Sequence, residues 1–285
     1  MNTSVDQILQ YLAQAGLVSL SQLIILLGPI LVLGFITYFV TKAVRSQSAV
    51  LFSWKLWVYG TFLGTIVHEL GHAIFAILFG HKIVAIQLFA PDPNTGTLGY
   101  VSHSYNKNNV YQSIGNFFIG IGPIILGPLV IYLAALYLVG ADVFAPLQSL
   151  QVSGSASTSL GSLGGMLSQA LIVSVSVLQA TFAPEHFSTW QFFLFLYIAI
   201  SVGAHIQLSP PDIQGAFTGL VVFVLAVVLF NLATLWAGNF VDVSIQAASH
   251  ISSFFYAVML FTISLNLAVL VVFTFLAILR RIFGR

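Results

Sequence analysis

His68-Glu69-Leu70-Gly71-His72 lies in the middle of an apolar run that extends from Leu56 to Phe79. A run of that length crosses a bilayer as a helix. A carboxylate at that depth costs a few kcal/mol unless something compensates it, and the whole chain of 285 residues contains only two glutamates. A bound metal would compensate it. On a helix, residues four apart share a face, so His68 and His72 can turn their imidazoles to one ion. Glu69, one position round, then reaches a water on that ion.

The composition sets the surroundings. The chain is 59% hydrophobic, 14% aromatic and only 5% charged, and so much apolar surface cannot all be buried inside one water-soluble core. The expected class is an all-α polytopic membrane protein, integral and multi-pass, with the lipid bilayer as its main partner. A net charge of +1 gives no basic footprint for nucleic acid. The absence of cysteine excludes disulfides, thiolate catalysis and cysteine-ligated zinc, leaving His, Asp and Glu as the available metal ligands.

Reading outward from the histidine pair gives about six spans. Residues 1–16 read as an interfacial helix or tail, and the first span runs from about Leu17 to Val40. The second is the run from Leu56 to Phe79, preceded by a belt of Trp54, Trp57 and Tyr59. Residues 81–112 change character. Lys82 to Phe89 reads as a strand, Pro91-Asp92-Pro93-Asn94-Thr95-Gly96 as a turn, and Leu98 to His103 as a returning strand, a small β-hairpin insert. A Gly/Pro-rich third span, Ile114 to Val139, is broken by Gly122-Pro123 and Gly127-Pro128. Residues 140–165 read as a loop. Met166 to Phe182 reads as a re-entrant or surface helix and is not counted. Trp190 to Leu208, 213–237 and 253–279 complete the six. This divides the chain into an N-terminal segment with the first span (1–50), a core (51–237) and a C-terminal span with a basic tail (238–285). The basic residues suggest a cell-membrane protein with its C-terminus cytoplasmic. Lys82, Lys107, Arg280, Arg281 and Arg285 then lie inside, and Lys42, Arg45 and Lys55 outside.

A second focus is Ser209-Pro210-Pro211-Asp212. Each proline removes a backbone donor and stops a helix, and irregular backbone at membrane depth is tolerated where it lines an enclosed cavity. Asp212 can therefore act as a third metal ligand, or it can be the N-cap of the helix that follows. His205, on the span before the prolines, has three readings: a hydrogen-bond partner to Asp212 or to a metal-bound water, a helix-packing residue, or a proton relay. His81, His103 and His250 read as interfacial. Small residues Gly60, Gly64 and Gly71 line the histidine face of the second span, and Gly215 and Gly219 follow Asp212, a spacing that admits close helix packing.

Two histidines four apart with an intervening glutamate form the zincin motif, whose chemistry is metal-assisted peptide hydrolysis. Taken with the hairpin insert, the Gly-Pro-rich span and Ser209-Pro210-Pro211-Asp212-Ile213-Gln214-Gly215, the chain resembles the site-2-protease type of intramembrane zinc metalloprotease over residues 56–220. The resemblance implies one Zn2+ per chain held by His68, His72 and Asp212, with Glu69 as the catalytic base. It also implies a transmembrane protein as the substrate. Ile213 and Gln214 separate Asp212 from Gly215 where the family has them adjacent. Asn116 stands in for the asparagine that the family carries on its third span to position substrate. A substrate must arrive as extended backbone, and the strand carrying Ile83, Ala85 and Gln87 is the candidate to pair with it. The alternatives are a non-proteolytic membrane protein that binds or transports metal, and a zincin whose third ligand is a glutamate, for which only Glu185 is available.

Overall fold

The computed structural model describes residues 3–149, 160–207, 209–234 and 240–283. Eight α-helices carry the fold: α1 (Thr3–Leu51), α2 (Trp54–Gly60), α3 (Phe62–Leu78), α4 (Val110–Leu138), α5 (Leu160–Thr181), α6 (Trp190–Gly203), α7 (Pro210–Thr234) and α8 (Phe240–Phe283). Short 3₁₀ turns precede α5 and α6. Between α3 and α4, β1 (Lys82–Gln87) and β2 (Tyr100–Ser104) form a two-stranded antiparallel sheet with Ile83 opposite His103 and Gln87 opposite Tyr100.

Four of these helices are long and apolar enough to cross a membrane, or five if the bent α2–α3 pair is one span. The shortfall from six arises at α6. It has 14 residues, about 21 Å of helix, where a bilayer core needs about 30 Å. The second span bends by 59° at Thr61, whose hydroxyl donates to the Trp57 carbonyl. The first and last spans are longer than the sequence suggests. Helix α1 is continuous from residue 3 through the expected tail, and α8 already begins at residue 240, where a loop was expected. Helix α4 is continuous through both prolines rather than broken at them. Part of the expected 140–165 loop is a 3₁₀ turn over 141–149, and the segment 150–159 lies outside the described residues.

Long polar-containing helices remain compatible with lipid because their hydroxyls bond back one turn. Thr37 donates to the Leu33 carbonyl, Ser19 to Ala15 and Thr41 to Thr37. Helices α1 and α8 lie parallel. Tyr256 donates to the Ile25 carbonyl, and Arg280 to the carbonyls of Val50 and Leu51. The C-terminal ends of the two helices therefore meet, so Arg280 stands with the end of α1 that carries Lys42 and Arg45. That contradicts the expected division of basic residues between two faces.

The centre of the molecule is the packing of α4 against α3 and α7. Close approach is enforced at one crossing by paired glycines. A Cβ on Gly71 would stand 2.6 Å from the Pro123 nitrogen, and one on Gly122 would stand 2.5 Å from the Gly71 carbonyl oxygen. Gly64 meets α6 and Gly219 meets α4 in the same way, whereas Gly60 and Gly215 face open space. The hairpin leaves the C-terminal end of α3 and doubles back along it. Phe89, just past β1, packs its ring 5.4 Å from Tyr59 and 6.0 Å from Phe62 at the start of that helix.

Candidate metal centre

His68 and His72 lie one turn apart on α3, and each ring is fixed through Nδ1. His68 Nδ1 donates to the His205 carbonyl at 2.9 Å, and His72 Nδ1 donates to the Ile119 carbonyl at 2.8 Å. A carbonyl only accepts, so both Nδ1 atoms carry hydrogen, and each ring in its neutral form presents a lone pair at Nε2. The two acceptors are available for a specific reason. Pro123 has no N–H to return to the carbonyl four residues earlier, which is that of Ile119. His205 lies two residues past Gly203, the end of α6, and its carbonyl, which also accepts from Gln207 N–H at 3.0 Å, has a second lone pair for the ring.

Asp212 comes from the first turn of α7. Ser209 is the cap residue: its hydroxyl accepts from Asp212 N–H at 3.3 Å, while Asp212 Oδ2 accepts from Ser209 N–H at 3.1 Å. This reciprocal pair is a capping box. Asp212 is therefore not the N-cap that the sequence also allows; it sits within the first turn, supports the Ser209 cap, and the same carboxylate faces the histidines. Asp212 Oδ1 lies 3.3 Å from His72 Nε2, and Oδ2 lies 3.7 Å from His68 Nε2. The two Nε2 atoms are 3.3 Å apart.

The three side chains can offer ligand atoms that all lie within 4.8 Å of one another. Two ligands at about 2.0–2.1 Å from a tetrahedral zinc stand about 3.3 Å apart. The Nε2–Nε2 separation and the His72 Nε2–Asp212 Oδ1 separation equal that value, and the other Asp212 oxygen lies 3.7 Å from His68 Nε2, so the donor set can hold a small divalent ion. Nothing in the set distinguishes zinc from other ions of that size.

Glu69 is nearly buried, 7% exposed. It shares a cavity of about 600 Å³ with His68, His72 and Asp212. The far wall is the hairpin, from Thr95 through Val101 together with His103. Gly99 is what allows the hairpin so close: a Cβ there would stand 2.9 Å from Glu69 Cγ and 2.8 Å from the Gln87 carbonyl oxygen.

The remaining sequence candidates fall differently. Asn116 is buried and lines the cavity beside Ile119 and Gly120. The His205 side chain does not bond Asp212. It donates through Nδ1 to the Ser201 carbonyl, and its backbone rather than its ring serves the centre. Ile83, Ala85 and Gln87 belong to β1 and do not line the cavity; the lining comes from β2 and the residues before it. Glu185 lies in the 3₁₀ turn before α6 and is not part of the ligand group. The sequence reading missed Ser209 as the cap, the Ile119 carbonyl, and His103 as a cavity residue. Gly122-Pro123 was the available signal for the second.

Comparison of the chain with family models, curated proteins and solved structures gave no match.

Proposed function

We propose that this is an intramembrane zinc metalloprotease that hydrolyses a peptide bond of a membrane-protein substrate within or close to the bilayer. The observation that carries the reading is the convergence of two Nε2 lone pairs and one carboxylate on a single point, with a second carboxylate, Glu69, in the same cavity. A structural metal site would have no use for that additional buried acid. His68, His72 and Asp212 would hold the ion. Bound there, it would supply a Lewis acid and lower the pKa of water to about 7. Glu69 is the group that takes the proton from the attacking water at a carboxylate oxygen and returns it to the leaving amine. The hairpin wall excludes bulk solvent from Glu69. The outer edge of β2, unpaired on the side away from β1, offers backbone groups to an extended substrate.

The test is elemental analysis of the detergent-purified chain followed by cleavage of a membrane-protein reporter. About one zinc per chain is expected in the wild type and in Glu69→Gln, and almost none in His68→Ala or Asp212→Ala. Cleavage is expected only in the wild type. Full cleavage by Glu69→Gln would overturn the assignment of the base. Metal retained with no cleavage by any form would favour a metal-binding or transport role.

A further inference from the structure

His103 lies on β2 in the cavity wall, and a chain of hydrogen bonds fixes which of its nitrogens carries hydrogen. The chain starts at the Gln112 carbonyl, which only accepts, so His81 Nε2, 2.7 Å away, carries hydrogen. In the neutral His81 ring Nδ1 is then a lone pair, and His103 Nδ1, 2.9 Å from it, donates. That leaves Nε2 of neutral His103 as an acceptor, and it has no hydrogen-bond partner among the described residues. The arrangement is rigid. His81 is buried at 5% exposure with the Tyr105 ring stacked on it at 4.9 Å. Gly115 gives it room, since a Cβ there would stand 2.8 Å from His81 Nε2. Gln112 ties the same region to α3 by donating to the Gly80 carbonyl at 2.8 Å. Burial first, then the neighbouring His81 and His72, hold the His103 imidazole below its ordinary pKa, which favours the neutral ring.

We infer that His103 is a positioning residue that accepts a hydrogen bond at Nε2 from one backbone N–H of the peptide lying in the cavity. The inference rests on the peptidase reading and narrows its substrate class to an extended segment with a free N–H at one fixed place. Proline and N-alkylated residues are disfavoured at that position. A histidine that only welded the hairpin to α4 would impose no such rule.

The test uses the full chain in nanodiscs. The probe is a quenched Leu/Ala transmembrane peptide of about 24 residues with a central Gly-Pro break, N-methylated one position at a time around the cleaved bond. In the wild type, methylation at one position is expected to raise KM about tenfold with kcat nearly unchanged, the effect of one lost hydrogen bond. His103→Leu is expected to carry the same rise on the parent peptide and to ignore that methyl group. His103→Gln, which keeps an acceptor near the Nε2 position, is expected to recover most of the difference. Identical methyl profiles in wild type and His103→Leu, or equal losses in kcat throughout, would overturn the inference. Absence of cleavage by the wild type would defeat the peptidase reading instead. Anisotropy binding of the same peptides to Glu69→Gln then decides: binding weakened by His103→Leu upholds the inference, and binding that is absent or indifferent to it overturns it.

Discussion

Replacing Pro123 by alanine should move stability and metal affinity in opposite directions. The proline leaves the Ile119 carbonyl without its helical donor, and His72 Nδ1 fills that place at 2.8 Å. Alanine restores an N–H four residues on, and this competes for the same oxygen. Proline in a helix interior is about 3 kcal/mol less favourable than alanine, so Pro123→Ala should raise the melting temperature. A carbonyl has two lone pairs, so the His72 bond is weakened rather than removed. At about 0.5–1.4 kcal/mol for a net hydrogen bond, zinc affinity should fall between about two- and tenfold. Pro128→Ala is the control, since it restores a donor to Ile124 on the same helix and should stabilise without affecting the metal. Competition with a chromophoric chelator gives the affinity, and a thermal melt of the apo chain gives the stability. Unchanged zinc affinity in Pro123→Ala would refute the idea that the proline exists to orient His72.

Gly71→Ala should destabilise the chain by about 1–3 kcal/mol, because its methyl group meets the Pro123 backbone; Gly60→Ala, facing open space, should be neutral in the same melt. Ser209→Ala should cost about 0.5–2 kcal/mol of stability through the lost cap, and if the proposed site binds zinc, the stoichiometry should match that of the wild type. His103 has a folded pKa below the ordinary value of about 6.5, so the unfolded chain binds the proton more readily. Hairpin stability should therefore be complete above that value and fall as pH drops through it, as read from amide exchange over 100–104. Because the chain has no cysteine, Gln47→Cys and Ile282→Cys can be labelled singly, and an impermeant maleimide should reach both from the same membrane face.

The motif in α3 was legible because its chemistry is local: three residues on one helical turn announce their shared face without any tertiary information. Asp212 was legible as a candidate for a related reason, since an acid beside two prolines in an apolar chain is rare. Its second bond was not, because a capping box depends on the backbone angles that Ser209 adopts. The hairpin could be read from its turn, but its direction could not. Whether it projects from α3 or folds back along it is settled by Phe89 packing on Tyr59 and Phe62, contacts between residues more than 25 apart. That same direction decides which strand meets the cavity, and so why β2 rather than Ile83, Ala85 and Gln87 forms the wall. The count of six spans is not matched among the described residues because α6 ends at Gly203, short of the expected Leu208.

Helix α4 supplies no ligand, yet two of its adjacent residues touch both halves of the centre. The Ile119 carbonyl holds His72, and Gly120 admits the turn of Asp212 so closely that a Cβ would lie 2.7 Å from its carbonyl oxygen. The helix thus acts as a calliper whose jaws set the gap between the imidazoles and the carboxylate. Under the proposed metal reading, the donor spacing is set in part at position 120, on a helix that contributes none of the donors; the methyl group of Gly120→Ala, which would meet Ala216 and the Asp212 carbonyl, is expected to widen the gap and disfavour small tetrahedral ions.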